Sequence, residues 1–122
     1  VMPHSDGAVV REAKAAGLMC TPGVATPTEG YAALANGADA LKMFPAEAMP
    51  PPVLKAWRSI FPANTDFLPV GGITPETMAG YAEVGAAGFG LGSALYQPGL
   101  TADAVGARAR AFVTAWRRLR PA

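Results

Sequence analysis

The sequence predicts an α/β fold built on a parallel sheet, and three observations predict it. Short apolar segments begin at residues 18, 40, 66 and 88, a spacing of 22 to 26 residues that fits one strand plus one helix. Those segments are near-continuously apolar rather than alternating, which suits parallel strands covered on both faces. The stretches between them carry helix start and stop residues in the expected order.

The elements follow one another along the chain. Val1–Pro3 reads as the end of a strand, and Asp6 as the cap of a helix with Val9, Val10, Ala13 and Ala16 at helical spacing and Gly17 as its stop. Leu18–Thr21 is the next strand. Thr26-Pro27-Thr28-Glu29 then forms a capping box, with Thr at the cap, Pro in the first helical position and Glu three residues on. That helix ends at Asn36-Gly37. Strand Ala40–Phe44 follows, and Pro52 opens a helix whose Val53, Leu54, Trp57, Ile60 and Phe61 make an apolar stripe. Strand Asp66–Val70 leads to a helix opened by Thr74-Pro75-Glu76 and closed at Gly85. Strand Gly88–Gly92 precedes the last helix, about residues 102–119, which is expected to bury Val105, Ala109, Phe112, Val113 and Trp116. Arg117, Arg118 and Arg120 sit at its end, where the helix dipole favours cations.

With 122 residues, 51% hydrophobic and 16% charged, the chain is one folded domain rather than a disordered tail. A net charge of +1 gives no general argument for nucleic acid or a membrane surface, and no apolar run is long enough to span a bilayer. The single cysteine excludes a disulfide framework and fits a reducing, cytoplasmic setting. Two architectures accommodate alternating strands and helices: an open doubly wound sheet and a (β/α)8 barrel. No GxGxxG marks a dinucleotide fold. Eight units of this period need roughly 200 residues, so the expectation is the C-terminal five βα units of a TIM barrel, with about three N-terminal units outside this chain.

In either architecture the chemistry sits at the C-terminal ends of the strands. Lys42 is the most informative residue there, since it lies inside an apolar strand between Leu41 and Met43 whereas Lys14 and Lys55 lie on helices. Desolvation favours the neutral amine of a lysine, the form that attacks a ketone to make a Schiff base. An ion-paired lysine, or one reaching past the strand end to water, is the alternative. Gly71-Gly72 and Gly92-Ser93 follow the last two strands, where backbone N–H groups can approach a phosphate. Either pair alone reads better as an ordinary turn; two pairs on adjacent strand ends, in the expected order, reverse that. His4 is the only histidine and cannot build a histidine-rich metal site; Cys20 reads as a buried inert thiol; Glu47 reads as a surface or turn residue, or as an acid or base near Lys42.

The segments LKMFPAE (Leu41–Glu47), VGGITPE (Val70–Glu76) and GLGSALY (Gly90–Tyr96) together resemble the 2-keto-3-deoxy-6-phosphonate aldolases, in family order and over nearly the whole chain. The resemblance implies a class I aldolase with a (β/α)8 fold, a homotrimer, needing no metal or organic cofactor. It implies Lys42 as the Schiff-base lysine and Gly71, Gly72, Gly92 and Ser93 as the phosphate site. It further implies substrate contacts from Thr21 and Pro22, in CTPGVATPTE, and from Phe44 beside the lysine. Val70 before the glycine pair and the ending GSALYQPG are similar to the 2-dehydro-3-deoxy-6-phosphogalactonate branch, whereas FPAE is common in the 2-dehydro-3-deoxy-6-phosphogluconate branch. The implied reaction yields pyruvate and glyceraldehyde 3-phosphate. The family's catalytic glutamate and a substrate-binding arginine come from its first strands, which are expected to lie before Val1. The competing readings are a phosphate-binding module without covalent chemistry and another phosphate-binding barrel, such as a thiamine-phosphate enzyme, which would not need a lysine in that strand.

Overall fold

Three of the helices begin at a side-chain cap and three end at a glycine, which satisfies backbone groups left free at their ends. In the computed structural model, which describes residues 1–120, helix α1 spans Gly7–Ala15 and its first N–H groups donate to the Asp6 carboxylate at 2.8 and 3.4 Å. Helix α2, Pro27–Ala35, carries the full capping box: Glu29 N donates to Thr26 Oγ1, and the Glu29 carboxylate accepts from the Thr26 hydroxyl at 2.7 Å and from Ala25 N at 3.0 Å. The remaining helices are α3 at Pro51–Arg58, α4 at Met78–Glu83 and α5 at Ala102–Leu119, with a short 3-10 turn at Ala46–Ala48. α1, α2 and α4 stop in the same way. Gly17, Gly37 and Gly85 have φ of 72°, 98° and 96°, and the residue after each glycine donates back to a carbonyl five residues earlier.

Three parallel strands form the sheet in the order β1-β2-β3: Gly23–Val24, Leu41–Met43 and Phe67–Pro69. The register pairs Gly23 with Lys42 and Lys42 with Leu68, so Lys42 is at the centre of the sheet. A single parallel bridge, Val70 to Gly90, continues the sheet beyond β3. Prolines keep the ladder short, since Pro22, Pro45 and Pro69 have no N–H to contribute.

Successive strand residues point to opposite faces, and the two faces have different neighbours. Leu41, Met43 and Phe67 are fully buried in the cluster that includes Leu54, Trp57 and Phe61. Aromatic packing fixes this layer: Tyr31 stacks on Phe61 at 4.5 Å, and Phe61 meets Phe67 edge-on at 5.2 Å. Lys42 and Leu68 alternate with these residues and are half-buried on the other face.

Several expected elements move. Val1–Pro3 forms no strand; Pro3 lies against Gly23, and the bond to β1 comes from the next residue, Gly23 N donating to the His4 carbonyl at 3.1 Å. The strand expected at Leu18–Thr21 is displaced to Gly23–Val24, because Leu18 and Met19 are 58% and 79% exposed and belong to the return from α1. Gly88–Gly92 contributes the single bridge at Gly90 in place of a strand. α3 opens at Pro51, one residue before the expected Pro52, and α4 begins at Met78, after a turn in which Thr74 N donates to Thr77 Oγ1 at 2.9 Å. Val9, Ile60 and Val113, expected in apolar stripes, are 48%, 50% and 47% exposed.

Candidate active site

In a parallel sheet every strand delivers its C-terminal end to the same edge. β2 brings Lys42 and, one residue past the strand, Phe44. The Lys42 ammonium lies 4.4 Å from the Phe44 ring centroid, within the range of a cation–π contact. The sole ion pair among the described residues is Lys14–Asp39 at 2.8 Å, so Lys42 has no carboxylate partner there. Among the described residues the ion-paired alternative for Lys42 thus finds no partner. Phe44 N donates to the Val24 carbonyl at 3.2 Å, which ties the end of β2 to the end of β1.

β3 delivers Gly71 and Gly72 through Val70. Their φ values of 111° and 65° lie in the left-handed region, where side chains are strained. Gly92 and Ser93 follow the Val70–Gly90 bridge and are exposed, with Ser93 opening a single turn in which Leu95 N and Tyr96 N both donate to the Gly92 carbonyl. Among the described residues the N–H groups of Gly71, Gly72, Gly92 and Ser93 donate to no carbonyl in the turns and loops, which leaves them open to an anion.

Thr21 and Pro22 do not share this edge. They are buried and precede β1, and the Pro22 carbonyl accepts from Lys42 N at 3.0 Å. Their expected position at a strand end is corrected: that position belongs to Ala25 and Thr26, and the Thr26 hydroxyl is engaged by Glu29. The apolar run from Leu18 hid this shift. His4 is exposed and lends its carbonyl to Gly23, while Cys20 is a buried free thiol. Of the two readings of Glu47, a surface or turn residue or an acid or base near Lys42, the structure has the first: it is exposed in the 3-10 turn Ala46–Ala48. That turn sets its carboxylate against Gly71, where an added Cβ would overlap Glu47 Oε2. The proline-rich stretch after Pro45 offered the only sequence signal for that turn. No group of three or more His, Cys, Asp or Glu side chains suited to a metal ion occurs among the described residues.

Hydrogen bonds shape the local charges. Asp39, held by Lys14 and by Cys20 N at 2.7 Å, titrates below the usual carboxylate range. Glu29 is lowered by the Thr26 hydroxyl and the Ala25 N–H. Burial, with a smaller contribution from the Glu47 charge, raises the Tyr81 hydroxyl.

The family model described as KDPG and KHG aldolase matches residues 1–108. The chain is 42% identical over 117 residues to the 2-dehydro-3-deoxy-6-phosphogalactonate aldolase of Escherichia coli, covering 96% of this chain and 57% of that protein. It is 43% identical over 116 residues to a probable enzyme of the same name from Rhizobium meliloti, covering 95% of this chain and 55% of that protein. The chain thus spans little more than half the length of these relatives. A solved structure described as native KDPGal superposes with a TM-score of 0.94 at 41% identity, over 96% of this chain and 57% of that one. A 2-keto-3-deoxy-6-phosphogluconate aldolase from Zymomonas mobilis superposes with a TM-score of 0.75 at 27% identity, over 90% and 53%. A central-strand lysine and two glycine-bearing turns at one sheet edge agree with what sequence and backbone each show independently: the chain belongs to the KDPG and KHG aldolase family.

Proposed function

We propose that the protein is a class I aldolase that cleaves 2-dehydro-3-deoxy-6-phosphogalactonate to pyruvate and glyceraldehyde 3-phosphate. The observation that carries this reading is the placement of Lys42: centre strand, face away from the helices, Phe44 ring beside it and no carboxylate paired with it among the described residues. The choice of the galactonate-derived epimer is supported by the 42–43% identity to proteins of that name. The chain supplies the C-terminal part of a (β/α)8 barrel, and the complete enzyme is a cytoplasmic homotrimer.

The chemistry runs as follows. The Lys42 amine adds to the C2 ketone, and loss of water gives an iminium. A carboxylate from units outside this chain takes the proton of the C4 hydroxyl. The C3–C4 electron pair moves into the iminium, which releases glyceraldehyde 3-phosphate and leaves an enamine. Protonation at C3 and hydrolysis then free pyruvate and restore Lys42. Gly71, Gly72, Gly92 and Ser93 hold the phosphate through their N–H groups, and Phe44 packs beside the reacting carbons.

Borohydride reduction in the presence of pyruvate tests the central step. One adduct is expected, mapping to Lys42, and Lys42→Arg removes it because a guanidinium forms no iminium. An adduct on Lys14 or Lys55, or trapping that survives Lys42→Arg, overturns the assignment. Turnover of the two epimers, compared side by side, tests the substrate.

A further inference from the structure

The Gly71–Gly72 turn has two sides, and the structure closes one of them. A Cβ on Gly72 would lie 2.8 Å from Glu47 Cγ, and one on Gly71 would overlap the Glu47 carboxylate. The glycines are thus bare on the side where the Glu47 side chain packs. Two anchors fix the turn that delivers Glu47: Ala46 N donates to the Val70 carbonyl at 2.8 Å, and the Tyr81 hydroxyl reaches the Ala46 and Met49 carbonyls at 3.0 and 3.2 Å. Beneath the glycines lies a cavity of about 450 Å³ whose lining includes Glu47, Glu76 and Tyr81 and contains no Lys, Arg or His. The Glu76 carboxylate is held below its usual range by hydrogen bonds from its own N–H and from Thr74. The Glu47 charge is felt across the cavity, since it contributes to raising the Tyr81 hydroxyl.

We propose that Glu47 is a specificity-determining residue that closes the cavity side of the Gly71–Gly72 turn to anions, so that a phosphate ester reaches the turn only from its open side. The inference rests on the reading of this turn as the phosphate site. The neighbouring carboxylate also loosens the hold on the phosphate that does bind, by like-charge repulsion. A phosphorylated product is released faster for that reason.

The test is a titration of the protein with inorganic phosphate, followed through the amide resonances of Gly72 and Ser93. Glu47→Gln keeps the shape of the side chain and removes its charge. It is expected to tighten phosphate binding by about three- to tenfold at low ionic strength. That gain shrinks as salt screens the charge, which a purely structural role would not show. Glu47→Asp retains the charge and stays within about twofold of the parent, while Glu47→Ala gains affinity as Glu47→Gln does. In turnover, Glu47→Gln lowers KM for the phosphorylated substrate without raising kcat. Unchanged or weaker phosphate binding in Glu47→Gln overturns the role of Glu47, as does an equal gain in Glu47→Asp or a gain insensitive to salt. Absence of phosphate shifts at Gly72 and Ser93 in the parent overturns the phosphate reading itself, and the role of Glu47 with it.

Discussion

Lys42 pairs in register with Leu68, and both project from the face of the sheet that the helices leave uncovered. Their strand neighbours Leu41, Met43 and Phe67 turn the other way into a dry aromatic and aliphatic layer. The alternation along β2 therefore separates the residue proposed for chemistry from the residues that hold the fold.

Lys42→Met is expected to leave stability within about 1 kcal/mol of the parent. Only the cation–π contact with Phe44 is lost, worth about 0.5–1 kcal/mol at an accessible site, and no carboxylate is left unpaired. Urea unfolding of parent and variant measures this; a loss above 2 kcal/mol, on the order expected for breaking a buried polar network, would show that Lys42 holds the sheet together.

The two glycine sites should respond differently to substitution. Gly92 has no atom within 4 Å of an added Cβ and no positive φ, so Gly92→Ala should fold as the parent does while its methyl group weakens phosphate binding. Gly72→Val meets both a left-handed φ and the Glu47 side chain, and should cost about 1–3 kcal/mol before any ligand is considered. Thermal unfolding together with phosphate titration separates the two effects. Phosphate affinity unchanged in Gly92→Ala would remove Gly92 from the site.

Thr26→Ala should destabilise the protein by about 1 kcal/mol through loss of the α2 cap. It should also flatten the acid limb of the stability curve. Glu29 has a lowered pKa in the folded state, so its contribution is present above the ordinary glutamate value of 4.5 and fades as pH falls through the folded value. Removing the Thr26 hydroxyl returns Glu29 toward that ordinary value. Denaturation midpoints at pH 6 and pH 3.5 should differ less in Thr26→Ala than in the parent; an equal difference would assign the acid sensitivity elsewhere, with Asp39 the next carboxylate to test.

Leu54→Ala is expected to cost about 2–5 kcal/mol, because Leu54 is fully buried beneath the sheet beside Trp57. Ile60→Ala, at a position half-exposed beyond the end of α3, should cost less than 1.5 kcal/mol by the same reasoning, so roughly the outer part of the expected stripe is dispensable. Equal losses at the two positions would mean that the apolar stripe read from sequence is packed along its whole length.

Local chemistry was the legible part of this fold. Asp6, Thr26 and Glu29 bind the backbone groups that their spacing predicts, and Gly17, Gly37 and Gly85 end their helices. Lys42 stood out because a lysine within an apolar strand needs a reason. Strand ends were harder to read. Leu18-Met19 is as apolar as a strand, yet both are exposed and the strand itself starts at Gly23, and nothing in composition separates an exposed return from a paired strand. That error carried Thr21 and Pro22 to the wrong end of β1. Glu47 was legible as a surface or turn residue but not as a neighbour of Gly71, since their contact joins two loops far apart in sequence.

The repeated stop after α1, α2 and α4 has a consequence for how the protein can be taken apart. Each of these returns closes its own backbone within one short segment, but Arg11 donates to Asn36 and Lys14 pairs with Asp39 across the first two, so Gly85 is the natural splice point for exchanging a module with a homologue. The passage after α3 is of another kind. There the Arg58 guanidinium reaches forward to the carbonyls of Thr65 and Ala63 at 2.6 and 2.9 Å, and a chimera joined at residues 59–64 would separate the clasp from what it holds.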